Sequence, residues 1–161
     1  MAHTLHCNLR ILAYERYRGH QDPRAREESQ VVELFSTPWL ARYKALWNAE
    51  PELADALARV GFEARIGYGY KGENDPRALL VVENGHVAEA RPYTGELLDW
   101  DLRADAETWA RWQSEPPGMV GLGIAYTTSR MQFVIGDYAA MIKDPRMAAP
   151  FMKSFVVMSR V

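Results

Sequence analysis

The hydrophobic pattern changes its period at Gly61, and this change constrains the fold more than any other feature of the sequence. Before Gly61, apolar residues recur at helical spacing, whereas apolar and polar residues alternate from Phe62 to Tyr70. A period of about 3.6 is typical of an amphipathic helix, and a period of two is typical of a strand with one buried face. The globular part of the chain therefore begins with helices and continues with a sheet, as in an α+β domain.

Two consecutive amphipathic helices are predicted before this change. Thr37-Pro38 predicts the start of the first helix, because a threonine hydroxyl can cap free amides and proline is tolerated in the first turn. Its apolar face consists of Trp39, Leu40, Tyr43, Leu46 and Trp47. Pro51 opens the second helix, which ends at Gly61. The apolar face of that helix consists of Leu53, Leu57 and Val60.

Four further strands follow the first, giving five in all. We expect them over residues 78–82, 86–91, 97–103 and 131–135. Asn84-Gly85 is a strong hairpin signal between the first two of these strands. No stretch between the first four strands is long enough for a helical crossover, so we expect antiparallel pairing.

Three aspartates predict helix starts in the last third of the chain, because their side chains can accept hydrogen bonds from free amides. They are Asp105, Asp137 and Asp144, and Pro145 follows the last of them. Pro150 must lie in the first turn of the final helix or kink it. The glycine-rich stretch 118–129 leaves both helix and loop open.

Length, charge and cysteine content limit the domain count and the partners. The 161 residues, 48% of them hydrophobic, suffice for one core, and we divide the chain into an N-terminal arm, 1–30, and a single domain, 31–161. A net charge of -2 gives no field suited to nucleic acid. No apolar run approaches the roughly 18 residues of a membrane-spanning helix. Cys7 is the single cysteine, and no signal-peptide pattern is present, so we expect a cytoplasmic location.

Two patterns imitate cofactor or metal sites. Residues 67–72 match the glycines of a dinucleotide fingerprint, but the alternation places them within a strand rather than before a helix, which favours small residues on a strand surface. A metal site would have to use His3, His6, Cys7 and His20. A closed site generally needs four fixed ligands, so accidental ligands near a chain end are favoured. We expect no cofactor and no metal.

Polar residues in the body of the chain give no catalytic signature. Asp99 and Asp101 share one face of a strand, most simply the solvent face. His86 stands alone beside the hairpin, where an exposed or hydrogen-bonded histidine is expected. If the protein is an enzyme, its candidate acid–base groups are Tyr126, Tyr138, Asp137 and His86. Most of the seven methionines lie in the last third, which suits a binding cavity as well as an ordinary core.

The order of elements and several motifs resemble the sterol carrier protein family over roughly residues 62–143. The similar features are the strand 99–105 with its acidic cap, the helix start Glu107-Thr108-Trp109, the strand 131–135, the turn Gly136-Asp137 and the helix from Tyr138. The resemblance implies a mostly antiparallel five-stranded sheet covered by helices, with a hydrophobic tunnel between them. Gly118, Gly121 and Gly123 depart from the family, whose helix before the last strand has fewer glycines.

We therefore expect a binding module for a hydrophobic small molecule such as a lipid, a fatty acyl chain, a sterol or a terpenoid. The expected ligand-binding residues are Trp109, Trp112, Met119, Met131, Phe133, Ile135, Tyr138, Met141, Phe151 and Phe155. Transfer or presentation to a partner enzyme would be its physiological act. The apolar segment 9–14 of the arm suits packing on the domain or on a second subunit, which would give a homodimer. The alternatives are an accessory subunit of a multi-protein catabolic system and a small enzyme acting on an apolar substrate.

Overall fold

The protein consists of five strands and six helices over residues 32–161, the part of the chain that the computed structural model describes. The helices are α1 Thr37–Asn48, α2 Ala54–Ala58, α3 Ala106–Ser114, α4 Met119–Thr127, α5 Tyr138–Lys143 and α6 Pro145–Met158. The strands are β1 Ala64–Tyr70, β2 Ala78–Glu83, β3 His86–Pro92, β4 Trp100–Ala104 and β5 Met131–Ile135. The predicted arm 1–30, with His3, His6, Cys7 and His20, lies outside the described residues.

The strands form one sheet in the order β3-β2-β1-β4-β5, which confirms the predicted α+β fold with a mostly antiparallel sheet. Pairing is antiparallel except between β1 and β4, which run parallel with Tyr68 opposite Leu102. The expectation of antiparallel pairing throughout the first four strands is therefore wrong. The crossover between β1 and β4 is made by the β2–β3 hairpin and the segment 93–99, so a parallel pair needs no helix here.

The face of the sheet opposite the helices, here called the reverse face, is covered by backbone and side-chain atoms packed closely against β1. A Cβ atom added to Gly67 would lie 2.8 Å from Leu98 Cδ1, and one added to Gly69 would lie 2.9 Å from Pro76 Cα. The segment 93–99 and the β1–β2 turn thus lie directly against the glycines of β1. Small residues on a strand surface are the correct interpretation of the Gly-x-Gly pattern.

A buried ion pair lies on the same reverse face. Asp101 and Arg103 are each 3% exposed, and Arg103 Nη2 donates to Asp101 Oδ2 at 2.8 Å. Arg103 Nη1 also donates to the carbonyl oxygens of Glu73 and Asp75 at 3.2 and 3.1 Å. The expectation that Asp101 faces solvent is therefore wrong, because the β1–β2 turn covers this face. Asp99 is exposed and accepts a hydrogen bond from the Arg65 amide at 2.7 Å.

Three helix starts follow the predicted caps, and two others are shifted. The carboxylates of Asp105, Asp137 and Asp144 accept amide hydrogen bonds at the first turns of α3, α5 and α6, as predicted. The first helix is capped by Ser36, whose Oγ accepts from the Trp39 amide at 3.3 Å, and not by Thr37.

Three further sequence assignments are settled by the described residues. The second helix is shorter than expected: α2 begins at Ala54 rather than at Pro51, and it ends at Ala58, so Val60 lies beyond it and is 37% exposed. The ambiguous stretch 118–129 forms α4, with Gly121 and Gly123 inside the helix. His86 is exposed, as predicted, with Nδ1 lying 3.1 Å from the Asn84 carbonyl oxygen.

The helices form a layer on the other face of the sheet. Helix α6 packs against α1, α2, α3 and α5, and α1 packs against β3. The face of β1 that points to this layer carries Ala64, Ile66 and Tyr68, all of them buried. The core therefore lies between the sheet and the helices. Within residues 32–161, none of the helices has the length and apolar character required to cross a bilayer.

Candidate functional site: an apolar cavity between sheet and helices

A cavity of about 60 Å³ lies between the sheet and the helical layer. Three strands of the sheet, β1, β4 and β5, form its floor, and α1, α2, α5 and α6 form its walls. Its lining consists of Trp47, Leu53, Leu57, Phe62, Ile66, Tyr68, Trp100, Leu102, Phe133, Met141, Met147, Pro150, Phe151 and Ser154. None of these side chains is charged, so the cavity suits an apolar guest.

Helix α6 supplies the wall of the cavity with the most residues. Asp144 caps this helix and Pro145 begins it. Four lining residues then recur at intervals of three, one and three residues, which places them on one helical face: Met147, Pro150, Phe151 and Ser154. Pro150 has no amide hydrogen, so the carbonyl of Arg146 loses its usual partner four residues along the helix. The hydrogen-bond ladder of α6 is therefore interrupted beside the cavity.

Most polar groups of the lining are already hydrogen-bonded to the protein. The Trp47 indole nitrogen donates to the Gly85 carbonyl at 3.0 Å, and Ser154 Oγ donates to the Phe151 carbonyl at 2.6 Å. The Tyr43 hydroxyl, which lies behind the lining, donates to the Ser154 carbonyl at 3.3 Å. The remaining polar side-chain groups of the lining are the Trp100 indole nitrogen and the Tyr68 hydroxyl, and the latter neighbours the Tyr43 hydroxyl.

The two tyrosines share a dry environment. Their rings contact edge to face, with centroids 6.4 Å apart. Burial raises the pKa of Tyr68 to about 12, and burial together with the adjacent Tyr68 raises the pKa of Tyr43 well above its usual value. Both phenols are therefore neutral throughout the physiological pH range.

The structure brings three of the ten expected ligand-binding residues to the cavity. These are Phe133 on β5, Met141 on α5 and Phe151 on α6. Four others are buried in the core without lining the cavity: Trp109, Met131, Tyr138 and Phe155. Met119 and Ile135 are 47% and 40% exposed.

Trp112, the last of the ten, borders a different depression, a groove of about 320 Å³ between α3 and α4. Arg111, Glu115, Ile124 and Arg130 also border this groove. It is more polar than the cavity because it contains three charged side chains. The Trp112 ring is linked to the cavity wall through Phe155, with centroids 5.1 Å apart.

The candidate acid–base groups do not line the cavity. The Asp137 carboxylate caps α5, and His86 lies on the surface beside the hairpin. Tyr126 is 40% exposed and stacks on Tyr138 with ring centroids 4.4 Å apart. These groups therefore do not converge on the apolar space.

Sequence reasoning missed eleven of the fourteen lining residues, eight of which precede β5 in the chain. The missed side chains are Trp47, Leu53, Leu57, Phe62, Ile66, Tyr68, Trp100, Leu102, Met147, Pro150 and Ser154. A signal for several of them was present, since the apolar faces of the first two helices and of β1 were predicted as buried. The predicted site was placed in the last third instead, because methionine and aromatic residues are concentrated there.

Comparison with known proteins places this arrangement in a structural class. No protein-family model matches the sequence, and no curated protein matches it. The crystal structure of sterol carrier protein 2 superposes with a TM-score of 0.64 at 19% identity, covering 80% of this chain and 99% of that one. The chain has the sterol carrier protein fold.

A second structure with the sterol carrier protein fold is similarly close. It is the solution structure of a conserved protein from Thermus thermophilus that is described as a candidate sterol carrier protein. Its TM-score is 0.61 at 18% identity, with 80% of this chain and 89% of that one covered. The resemblance found in the sequence over 62–143 is thus confirmed at the level of fold, and the fold extends over more of the chain than the motifs did.

Proposed function

We propose that the domain binds a hydrophobic small molecule, such as a lipid, a fatty acyl chain, a sterol or a terpenoid, in the cavity between its sheet and helices. The observation that carries this proposal is a lining of fourteen residues without a charged side chain. We propose that its physiological role is to transfer the bound molecule or to present it to a partner enzyme. The names of the two similar structures, a sterol carrier protein and a candidate sterol carrier protein, support the same conclusion.

The size of the cavity implies that binding requires an opening. Pockets for small molecules usually have volumes of about 300–1,000 Å³, whereas this cavity has about 60 Å³. The most readily displaced wall is the one formed by α5 and the start of α6, because α5 has only six residues and Pro150 interrupts the ladder of α6. We propose that this wall moves outward when a ligand enters.

The direct test is to identify what the purified protein retains. Native mass spectrometry of the full chain, followed by organic extraction, would reveal a lipid-like molecule at near-stoichiometric occupancy. An empty protein that also shows no change in tryptophan fluorescence with fatty acids or sterols would contradict the proposal and favour the accessory-subunit or enzyme alternatives.

A pair of variants on α6 tests the location of the site. Met147 lines the cavity and Met152 does not, although both are half-buried on the same helix. We expect Met147→Trp to fill the cavity and weaken binding of an uncharged, polarity-sensitive fluorescent lipid at least tenfold. Met152→Trp, as the matched control, should change the affinity less than twofold. Equal effects of the two substitutions would place the ligand elsewhere.

Two finer parts of the proposal rest on the sequence. They are dimerisation through residues 1–30 and delivery of the ligand to a partner enzyme in the cytoplasm. The apolar segment 9–14 and the single Cys7 support them.

A further inference from the structure

The lining of the cavity includes one buried phenol, a group that can both donate and accept hydrogen bonds. Tyr68 lies on β1, the central strand of the sheet, and its side chain is among the cavity lining although the residue is only 3% exposed. Of the other three polar side chains of the lining, Trp47 and Ser154 each donate to a backbone carbonyl, and Trp100, whose indole nitrogen can donate but not accept, is only half-buried. The phenol of Tyr68 is therefore the one hydroxyl of the lining that donates to no backbone carbonyl within residues 32–161, and it is a group through which the cavity can recognise a polar atom.

The hydrogen-bonding capacity of Tyr68 exceeds what its neighbour supplies. A phenol hydroxyl can donate one hydrogen bond, and its oxygen can also accept hydrogen bonds. Tyr43 directs its own proton to the Ser154 carbonyl at 3.3 Å, so at most one bond links the two hydroxyls. In such a bond Tyr68 is the donor and keeps acceptor capacity, which a ligand hydroxyl can use; without that bond its proton is also available to a ligand carbonyl.

The charge of the surroundings decides which polar group fits there. No lining residue is charged, and burial keeps Tyr68 neutral by raising its pKa to about 12. A carboxylate taken to this depth would lose its hydration without gaining a cation, which is strongly unfavourable. A hydroxyl or carbonyl group loses much less hydration and can regain it in one hydrogen bond.

We propose that the ligand is an uncharged amphiphile that enters with its oxygen inward, and that Tyr68 selects it by a hydrogen bond to a single hydroxyl or carbonyl group. This inference rests on the proposed function, because it concerns the same cavity. It narrows the ligand class to neutral alcohols and ketones with an apolar body. Molecules with a carboxylate at the buried end are excluded.

Three probes of one chain length test this assignment: 1-decanol, decane and decanoate, each measured by displacement of a fluorescent probe from the full-length protein. We expect the unsubstituted protein to bind 1-decanol at least fivefold more tightly than decane and decanoate. This comparison needs no variant, so a folding defect cannot obscure it. Equal or tighter binding of decanoate would overturn the assignment.

Substitution then identifies the hydrogen-bonding group. Tyr68→Phe should weaken binding of 1-decanol about five- to thirtyfold, the range of one buried hydrogen bond, and leave the affinity for decane unchanged. Tyr43→Phe removes an equally buried hydroxyl that does not line the cavity, and it should leave the preference for the alcohol intact. Circular dichroism would verify that both variants fold.

The outcomes separate this inference from the proposed function. If Tyr68→Phe weakens 1-decanol and decane equally, or if Tyr43→Phe removes the preference as completely, Tyr68 does not select the ligand, although the cavity still binds it. If none of the probes displaces the fluorescent molecule, the proposed function fails and the assignment to Tyr68 fails with it.

Discussion

The buried pair of Asp101 and Arg103 makes a quantitative prediction about stability. Replacing Asp101 by Ala would leave the Arg103 guanidinium 3% exposed without its carboxylate. Loss of one partner from a buried ion pair typically costs about 3–5 kcal/mol. For a domain of this size, that cost lowers the midpoint of thermal unfolding by on the order of 10 °C.

An exposed pair in the same protein provides the matched control. Glu107 and Arg111 on α3 lie 3.1 Å apart with side chains 85% and 51% exposed. Such a pair contributes less than about 1 kcal/mol, so Glu107→Ala should have a small effect. Urea unfolding of Asp101→Ala and Glu107→Ala, followed by tryptophan fluorescence at pH 7, compares the two directly.

A double variant distinguishes the loss of the attraction between Asp101 and Arg103 from the cost of burying the Arg103 charge without a partner. Asp101→Leu combined with Arg103→Met removes both charges and should recover part of the stability lost in Asp101→Ala. Recovery should be incomplete because the carbonyls of Glu73 and Asp75 lose their donor. If Asp101→Ala costs no more than Glu107→Ala, the guanidinium is hydrated and the account of the reverse face is wrong.

Two further predictions concern the same sheet. Gly69→Ala should destabilise the fold by about 1–3 kcal/mol, because the added Cβ would lie 2.9 Å from Pro76 Cα; Gly123→Ala, in an open position on α4, should be neutral or stabilising in the same unfolding assay. Tyr68 has a folded pKa of about 12 against an ordinary 10.0, so its contribution to stability is complete below pH 10.0 and decreases as the pH rises toward 12. Absorbance at 295 nm should therefore show tyrosine ionisation that coincides with alkaline unfolding, and reversible titration of Tyr68 near its ordinary pKa in the folded protein would contradict its burial.

The strands and helix caps could be predicted from sequence because their signals are local. Alternation identified β1, and Asp105, Asp137 and Asp144 marked three helix starts correctly. Strand direction could not be predicted in the same way, because the parallel pairing of β1 with β4 depends on the path of the connecting segment 93–99. Local patterns contain no information about that path.

The face assignment of β4 failed for a related reason. Alternation shows that Asp99 and Asp101 point the same way, but it does not show whether something covers that side. The β1–β2 turn covers Asp101 through Arg103, a contact across about thirty residues of chain. The cavity was only partly predicted for the same reason, because Phe133 and Phe151 meet Leu57 and Tyr68 only after the whole sheet has formed.

The two sides of the sheet differ in how far they tolerate substitution, as the glycines of β1 and the ion pair of β4 show. On the reverse face, the glycines of β1 have no room for a side chain and Asp101 and Arg103 depend on each other, so residues there accept few replacements. Around the cavity, apolar side chains such as Ile66 on the sheet and Leu57 and Met147 on the helices differ mainly in shape, and volume-conserving exchanges among apolar residues are tolerated. Ligand preference can therefore diverge between proteins of this architecture, or be redirected by combinatorial mutagenesis, through positions that the folding of the sheet does not depend on.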